Sequence, residues 1–389
     1  MTQLLETCDA VEYRTARAVL SFADARRLAA RYGTPLLAIS RSALTDSYRT
    51  LVANLPGGEF SYAAKANPDR AILSTLRKLG CSVDVCSHKE AQRALKAGFR
   101  PEAMIHTHPC KTIRNLSDCY REGIRWFTYD SAHELPKFVE HAPDARLLLR
   151  LAMSSASSVI DLSAKFGAAR HEAVPLLKRA DQLGLRVRGI SFHVGSQCLS
   201  PDDFTSALEE ARRIWDQASD AGLELEVLDF GGGIPSPYRS AILSLETYCQ
   251  HLSQALEATF GDLPIRIIAE PGRCLAAEAV TLVTSVIGKT VRGGRTWYII
   301  DDGLYGSFSG KVYDHADFPL FAEGADERPA FPCVVAGPTC DSTDVVARDQ
   351  LMPELDIGEL LLVPSMGAYT SASACDFNGL DVARSVAID

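Results

Sequence analysis

The chain has 389 residues, with 40 Lys or Arg against 49 Asp or Glu, so its formal net charge is −9. This length is too great for one ordinary compact domain, unless that domain is a barrel of roughly 200–250 residues with another domain attached. The acidic balance and the lack of a basic cluster argue against a nucleic-acid partner. The longest apolar stretch, 275–288, is shorter than the roughly 18 residues of a spanning helix, so we expect no membrane segment.

The N-terminal residues and the cysteines indicate the cellular compartment. The start, MTQLLETCDA, carries Glu6 and Asp9 where an export signal would be basic and then apolar. The 11 cysteines are odd in number and form no C-x-x-C pair. We therefore expect a cytoplasmic protein with reduced thiols.

The predicted elements begin with a helix over 22–32 and a strand over 35–39. From about residue 58 to 272, amphipathic stretches ending in glycine alternate with short apolar runs. The glycines, each of which we expect to end its helix with a left-handed backbone, are Gly80, Gly98, Gly123, Gly184, Gly222 and Gly261. The apolar runs are FSYAAK, SVDVC, AMIHTH, WFTYD, RLLLRLA, RVRGISFHV, LEVLDF and IRIIAE. Eight such runs alternating with helices predict a closed (β/α)8 TIM-like barrel in an α/β protein.

The pattern changes after Gly272, where strand-like runs are separated by turns and charged loops with few helices. These runs are TLVTSVIGKTV, RTWYIID, PCVVAG and ELLLVPS. They predict an antiparallel β-sheet or β-barrel domain. We expect the barrel over 37–275, and a second domain made of 1–36 together with 276–389.

The carboxyl ends of barrel strands carry the chemistry of this fold. The first run ends at Lys65, between Ala64 and Ala66. Small apolar neighbours would partly desolvate the amine and lower its pKa, which favours a nucleophile able to form a Schiff base. The alternative is a lysine whose ammonium reaches solvent at the barrel rim.

The sixth run ends at His193, which could be an acid, a metal ligand, a stacking platform or a buried core residue. No second His or Cys stands at a zinc-like spacing, so no metal is predicted.

The seventh and eighth runs end in residues typical of an anion site. Gly231, Gly232 and Gly233 expose consecutive backbone N–H groups, and Arg273 offers a bidentate donor to a phosphate. Barrels often bind phosphate at these two strands, although a tight turn alone would also explain the glycines. Glu270 either forms an ion pair with Arg273 or serves as partner for a protonated pyridine nitrogen.

Together, nine motifs resemble the pyridoxal-phosphate-dependent basic amino-acid decarboxylases of the alanine-racemase-like barrel class, most closely the eukaryotic-type ornithine decarboxylase family. They lie in the family's order between about residues 33 and 380. The motifs are YAAKANP, VDVCSHKE, SFHVGSQC, LDFGGGIP, AEPGR, DDGLYGSF, YDHA, GPTCDSTD and MGAYT.

The resemblance implies pyridoxal 5′-phosphate as the cofactor, joined to Lys65 as a Schiff base. His193 would stack on the pyridine ring, and Glu270 would pair with the protonated ring nitrogen, which keeps the ring an electron sink. Asp84 and Arg150 would orient groups around the Schiff base. The residues implied to hold the phosphate are Ser196, Gly233, Gly272, Arg273 and Tyr369.

The resemblance also implies a homodimer with shared active sites. Cys340 and Asp341 would reach into the partner subunit's site, where Cys340 would protonate the α-carbon after CO2 leaves. Asp341 and Asp314 would bind the distal ammonium of the substrate, because two carboxylates favour a side chain that ends in a cation. Tyr313 and Phe377 are further predicted substrate-binding residues.

These assignments imply a carboxy-lyase that converts the basic amino acid L-ornithine to putrescine, with L-lysine to cadaverine as the other candidate. Asp341 stands where the related diaminopimelate decarboxylases carry Glu, which favours a diamine as product. Segments 152–163 and 318–331 depart from the family pattern, so the choice between ornithine and lysine stays open.

Three alternatives remain. The first is a decarboxylase of a modified diamino acid in siderophore or antibiotic biosynthesis. The second is an amino-acid racemase that uses Cys340 as a second base. The third is a non-catalytic regulator, against which the presence of Lys65, Cys340 and Arg273 argues.

Overall fold

The computed structural model describes residues 12–389, and eight parallel strands form a closed barrel at its centre. Each strand pairs with the next one in the chain, and the eighth pairs with the first. In chain order the barrel strands are Gly58–Ala63, Ser82–Val85, Met104–His106, Trp126–Tyr129, Arg146–Leu151, Arg186–Phe192, Val227–Asp229 and Arg266–Ala269. The predicted (β/α)8 barrel is therefore confirmed: seven strands lie within the expected runs, and the first begins two residues before its run.

Helices surround the barrel because each has one apolar stripe that packs on the strands. In the helix after the first strand, Ile72, Leu73 and Leu76 are fully buried, as the spacing predicts. Not every helix belongs to this layer, since Ala25 of the helix Phe22–Tyr32 packs with Leu36 and Val283 of the second sheet. The α-helices of the described residues span Phe22–Tyr32, Arg41–Asn54, Arg70–Lys78, His88–Lys96, Ile113–Arg121, Leu135–His141, Arg170–Gln182, Asp202–Asp220, Leu245–Phe260, Arg273–Ala276 and Gly310–Tyr313.

Most of the expected glycine stops have the left-handed backbone that ends a helix. Gly80, for example, has φ 87°. Gly261 does not, since its φ is −62° and it continues the right-handed turn. The expectation for that glycine was wrong, because Gly261 keeps helical backbone angles and its N–H closes the last helical turn on the Glu257 oxygen at 3.0 Å.

A second sheet follows the barrel. Its strands are Leu36–Ile39, Val280–Arg292, Arg295–Ile300, Phe321–Ala322, Ala330–Ala336, Val345–Pro353, Leu360–Val363 and Arg384–Ala387. The long strand Val280–Arg292 is central: one half pairs with Leu36–Ile39 and Leu360–Val363, and the other half pairs with Arg295–Ile300. Two pairings are parallel, Arg295–Ile300 with Ala330–Ala336 and Leu36–Ile39 with Arg384–Ala387.

These pairings correct two expectations. The sheet is mixed, because each parallel pair is joined by a long connection that sequence order alone does not reveal. The expected barrel start at residue 37 falls inside the strand Leu36–Ile39, which pairs with the second sheet. Residues 1–11 of the predicted second domain lie outside the described residues.

The divergent segment 152–163 is ordered against the barrel mouth. Its strand Ser158–Ile160 pairs with Ser196–Cys198, which follows the sixth barrel strand. The hydroxyls of Ser155 and Ser157 donate to Asp203 Oδ2 at 2.5 and 2.6 Å. This segment therefore forms one wall above the carboxyl ends of the strands.

Two further features concern the described residues as a whole. Within 12–389, no helix combines the length and apolar character needed to cross a bilayer. The ten cysteines described there are all free thiols.

Candidate active site

Lys65 follows the first barrel strand and lies against a buried carboxylate from the second. Its Nζ donates a hydrogen bond to Asp84 Oδ2 at 2.6 Å and lies 3.9 Å from Glu270 Oε2. Asp84 is fully buried. The amine therefore points into the barrel mouth, and the alternative of a lysine extended into solvent is wrong.

The expected direction of the Lys65 pKa shift is also wrong. Burial lowers this pKa, as its apolar neighbours suggested, but the charges of Asp84, Cys86 and Glu270 together raise it well above its ordinary value. Neighbours along the chain reveal the desolvation, whereas the carboxylates come from other strands. The raised pKa agrees with the ion pair between the Lys65 ammonium and the Asp84 carboxylate.

Glu270 and Asp229 form a buried acid pair at the ends of the seventh and eighth strands. Burial raises the pKa of Asp229 to about 7, and burial together with Asp229 raises the pKa of Glu270 well above its ordinary range. Asp229 Oδ1 accepts from the Gly231 N–H at 2.9 Å. Two adjacent buried carboxyls with raised pKa values are not both ionised at neutral pH, so the pair carries a proton there.

His193 lies beside this pair as a buried neutral imidazole. Burial, then the charges of Arg150 and Lys65, lower its pKa well below the ordinary value. The Gly195 N–H donates to its Nδ1 at 3.0 Å and fixes the ring orientation. A neutral, fixed ring is suited to stacking on an aromatic ligand.

Arg273 is the buried cation of the site. Its Nη1 donates to the Tyr238 hydroxyl at 2.5 Å and its Nη2 to Ser196 Oγ at 2.8 Å. The guanidinium also lies 4.8 Å from the Tyr369 ring centroid and forms an ion pair with Asp314. The alternative Glu270–Arg273 ion pair is not formed, since the guanidinium is directed to Asp314.

The glycines beside Arg273 permit close approach of the backbone. A Cβ on Gly233, at φ +123°, would lie 2.6 Å from the Gly195 oxygen, and one on Gly232 would lie 3.3 Å from His193 Nε2. A Cβ on Gly272 would lie 3.1 Å from the Cβ atoms of two alanines of the first strand region. Larger residues would fill this cradle.

These side chains surround a cavity of about 340 Å³ that continues into a small pocket of about 20 Å³ beside Arg273. The predicted residues that line the two are Lys65, Arg150, His193, Ser196, Gly233, Glu270, Gly272, Arg273, Tyr313, Asp314 and Tyr369. Arg150 lies over the Phe166 ring, 5.4 Å from its centroid. Tyr313 is 68% exposed at the mouth.

Three predicted residues lie elsewhere, and none of them lines this cavity. Asp341 Oδ2 accepts from the Tyr305 hydroxyl at 2.6 Å, and Phe377 stacks on the Tyr305 ring with centroids 4.2 Å apart. Cys340 is exposed, and its N–H donates to Asn378 Oδ1 at 3.0 Å. One chain therefore brings together the predicted cofactor residues but not Cys340, Asp341 and Phe377.

The barrel sequence matches a known family. A family model described as "Pyridoxal-dependent decarboxylase, pyridoxal binding domain" matches residues 41–277. The chain belongs to the pyridoxal-dependent decarboxylase family. It is a carboxy-lyase, and its (β/α)8 barrel is the part that matches the pyridoxal-binding domain.

Individual relatives cover almost the whole decarboxylase chain. The lysine/ornithine decarboxylase of Selenomonas ruminantium is 40% identical over 368 residues, which are 94% of this chain and 93% of the relative. The structure of SrLDC in complex with PLP and cadaverine has a TM-score of 0.90 and 39% identity, covering 96% of this chain and 95% of that one. The Vibrio vulnificus lysine/ornithine decarboxylase complexed with putrescine has a TM-score of 0.89 and 36% identity, covering 95% and 99%.

The residues of this decarboxylase fit pyridoxal 5′-phosphate. Arg273 Nε is a buried donor with no hydrogen-bond partner within residues 12–389, next to a cradle open only because its residues are glycine. The amine of Lys65 and the acid pair of Glu270 lie in the same cavity. The amine of Lys65 matches an aldehyde, the carboxyl of Glu270 matches a ring nitrogen, and the guanidinium of Arg273 matches a phosphate.

The decarboxylase cavity also contains residues that the sequence reasoning missed. Thr107 and His108 follow the third barrel strand, and Phe166 and Ile160 belong to the wall from the fifth connection. The signal for the first two was available, because they follow an apolar run as Lys65 does. Ile160 and Phe166 carried no such signal, since they lie in a segment without a strand pattern.

Proposed function

We propose that this enzyme catalyses pyridoxal-phosphate-dependent decarboxylation of a basic L-amino acid, with L-ornithine as substrate and putrescine as product, and L-lysine as the other candidate. The observation that carries the proposal is one cavity that joins the Lys65 amine, a phosphate-type pocket at Arg273 and the Asp314 carboxylate. The bound cofactor supplies an electron sink for the pair released when the bond from the α-carbon to the carboxylate breaks and CO2 leaves.

On one side of the cavity, the residues of the chain bind and orient the cofactor. Lys65 provides the amine for covalent attachment, and Asp84 holds its nitrogen in place. His193 offers a neutral ring face, and Glu270 donates or shares the proton of the acid pair with a ring nitrogen. Arg273 provides the charged donors for a phosphate.

The part of the cavity that would hold the substrate side chain carries a carboxylate. Asp314 lines the cavity beside Tyr313, at the end of the helix Gly310–Tyr313. A buried carboxylate there stabilises a distal ammonium and leaves a neutral side chain unmatched, so it selects for basic amino acids. Asp314 is then shared between Arg273 and the substrate ammonium.

We further propose a homodimer in which Cys340, Asp341 and Phe377 complete the partner subunit's site. This accounts for their position outside the cavity of their own chain, on a common exposed cluster with Tyr305. In this arrangement the Cys340 thiol gives its proton to the α-carbon after CO2 leaves, and Asp341 adds a second carboxylate for the distal ammonium.

Mixed dimers test the shared site. Lys65→Ala and Cys340→Ala are each expected to be nearly inactive alone, whereas random reassortment of their subunits restores about a quarter of wild-type activity. A mixture that stays inactive, although mass spectrometry shows mixed dimers, would refute a role of Cys340 across the interface.

A substrate panel with product identification tests the proposed activity. L-Ornithine, L-lysine, L-arginine and diaminopimelate are each incubated with the PLP-loaded enzyme, and CO2 and amines are measured. We expect CO2 with putrescine or cadaverine. Negligible turnover of all four would favour a modified diamino acid, and exchange of enantiomers without CO2 would favour the racemase.

The domain division and the compartment complete the proposal. We propose a cofactor-binding barrel over about 37–275 and a second domain from 1–36 and 276–389, adjusted so that Leu36–Ile39 stays with its sheet. We also propose action in the cytoplasm, which the free thiols within residues 12–389 support.

A further inference from the structure

Thr107 forms a hydrogen bond to the carboxylate that holds Lys65. It follows the third barrel strand, Met104–His106, and its N–H donates to the Val85 oxygen at 3.2 Å, which extends the parallel ladder by one residue. Its Oγ1 donates to Asp84 Oδ1 at 2.5 Å. The side chain is 5% exposed and forms part of the cavity wall.

The two oxygens of Asp84 therefore have separate partners. Thr107 binds Oδ1, and Lys65 Nζ binds Oδ2 at 2.6 Å. Within residues 12–389 these are the hydrogen bonds that the Asp84 carboxylate accepts. The backbones of all three residues belong to adjacent strands or strand ends. The barrel therefore fixes the geometry of the two hydrogen bonds that link the Thr107 hydroxyl, the Asp84 carboxylate and the Lys65 amine.

We propose that Thr107 is a positioning residue, whose hydroxyl orients the Asp84 carboxylate toward the nitrogen of Lys65 and so helps to hold the proton on that nitrogen. The proposal deepens the proposed function and rests on it, because Lys65 is the attachment point of the cofactor. A fully buried carboxylate depends on donated hydrogen bonds to remain charged. Without the hydroxyl, the Asp84 carboxylate is less well oriented and holds the Lys65 ammonium less tightly.

Other charged and titratable groups surround Thr107, Asp84 and Lys65 and contribute to the electrostatic potential at the Lys65 amine. The groups that interact with Lys65 or Asp84 from the neighbouring elements are Cys86, Glu90, His193, Asp229, Glu270 and Tyr369, and Arg150 acts on His193. None of them changes when only the Thr107 hydroxyl is removed. A variant that keeps the volume of Thr107 therefore isolates the hydroxyl from this background.

Thr107→Val removes the hydroxyl at nearly constant volume, and Thr107→Ser restores it. Thr128→Val is the matched control, because Thr128 lies on the next barrel strand, is 1% exposed, and its Oγ1 has no hydrogen-bond partner within 12–389. Thr107→Ala provides a second variant without a hydroxyl, should valine prevent folding.

The readout is the absorbance spectrum of the PLP-loaded proteins at neutral pH. The long-wavelength band reports a protonated nitrogen on Lys65, and the shorter-wavelength band an unprotonated one. We expect Thr107→Val and Thr107→Ala to shift the ratio of the bands toward the unprotonated form by about tenfold, which is the effect of one hydrogen bond to a charged group. Thr107→Ser and Thr128→Val should keep the wild-type ratio.

A second readout does not depend on the cofactor. In the cofactor-free full chain, acylation of Lys65 at neutral pH, followed by peptide mass spectrometry, should be several-fold faster in Thr107→Val than in wild type. Wild-type band ratios in both hydroxyl-free variants would overturn the inference while leaving the proposed function intact. If the wild type bound no PLP at Lys65, the proposed function would fail, and a wild-type acylation rate in Thr107→Val would then overturn the inference separately.

Discussion

Replacing Arg273 by lysine separates the geometry of the anion site from its charge. The buried guanidinium donates to the Tyr238 hydroxyl at 2.5 Å and to Ser196 Oγ at 2.8 Å, and its Nε remains without a partner within the described chain. Lysine retains the positive charge but presents one nitrogen where arginine presents three. At least one charge-assisted hydrogen bond to a phosphate is therefore lost.

The size of this loss follows from the type of hydrogen bond. A hydrogen bond to a charged group contributes about 1.5–3 kcal/mol, so the Kd for PLP should rise roughly ten- to a hundredfold. Because Arg273 acts on binding of the phosphate and lies apart from the Lys65 amine in the proposed mechanism, kcat at saturating PLP should stay within a few-fold of wild type.

The assay is a titration of the cofactor-free variant with PLP, followed by absorbance, and then turnover at saturating PLP. Arg266→Lys is the control, since Arg266 lies on the same strand region but pairs with Glu59 at 2.7 Å on the surface. An unchanged Kd in Arg273→Lys, or a loss of kcat that excess PLP does not restore, would refute this account of the anion site.

Other variants test burial, backbone conformation and substrate selection. Burial raises the pKa of Asp302 to about 6, so the folded state binds its proton more tightly and stability falls as pH rises toward that value. Asp302→Asn should therefore raise unfolding free energy by up to about 3 kcal/mol at pH 8 and little at pH 4, measured by urea denaturation. Gly231→Ala should destabilise strongly, since at φ +70° its Cβ would lie 2.2 Å from a backbone oxygen. Gly324→Ala should cost only about 1–2 kcal/mol in the same denaturation assay, because Gly324 is left-handed at φ 62° and ψ 25° and its Cβ would have nothing within 4 Å. Asp314→Asn should raise KM for ornithine about tenfold or more in steady-state assays, and should not weaken PLP binding.

The barrel could be predicted from the sequence because its information is local. Each strand is a near-continuous apolar run, and the reactive side chains follow directly at its end, as Lys65, His193 and Glu270 do. Once eight strands close into a barrel, these ends meet at one face. No knowledge of distant contacts was needed for that part of the site.

The remaining features depend on contacts between distant segments. The pKa of Lys65 is set by Asp84 and Glu270, which come from other strands. The partner of Arg273 is Asp314, from the loop after a short helix in the second domain region. The parallel pairing in the second sheet likewise joins segments separated by long connections. Residue type indicates a charge at each position, but only the fold determines which charges meet.

Release of labelled CO2 from carboxyl-labelled L-ornithine and, in a parallel reaction, from carboxyl-labelled L-lysine tests the central claim most directly. Wild-type protein loaded with PLP should release labelled CO2 and an equal amount of diamine, and Lys65→Ala under the same conditions should release neither above the rate without protein. Release by Lys65→Ala at the wild-type rate, or no release by the wild type from either ornithine or lysine, would contradict the account.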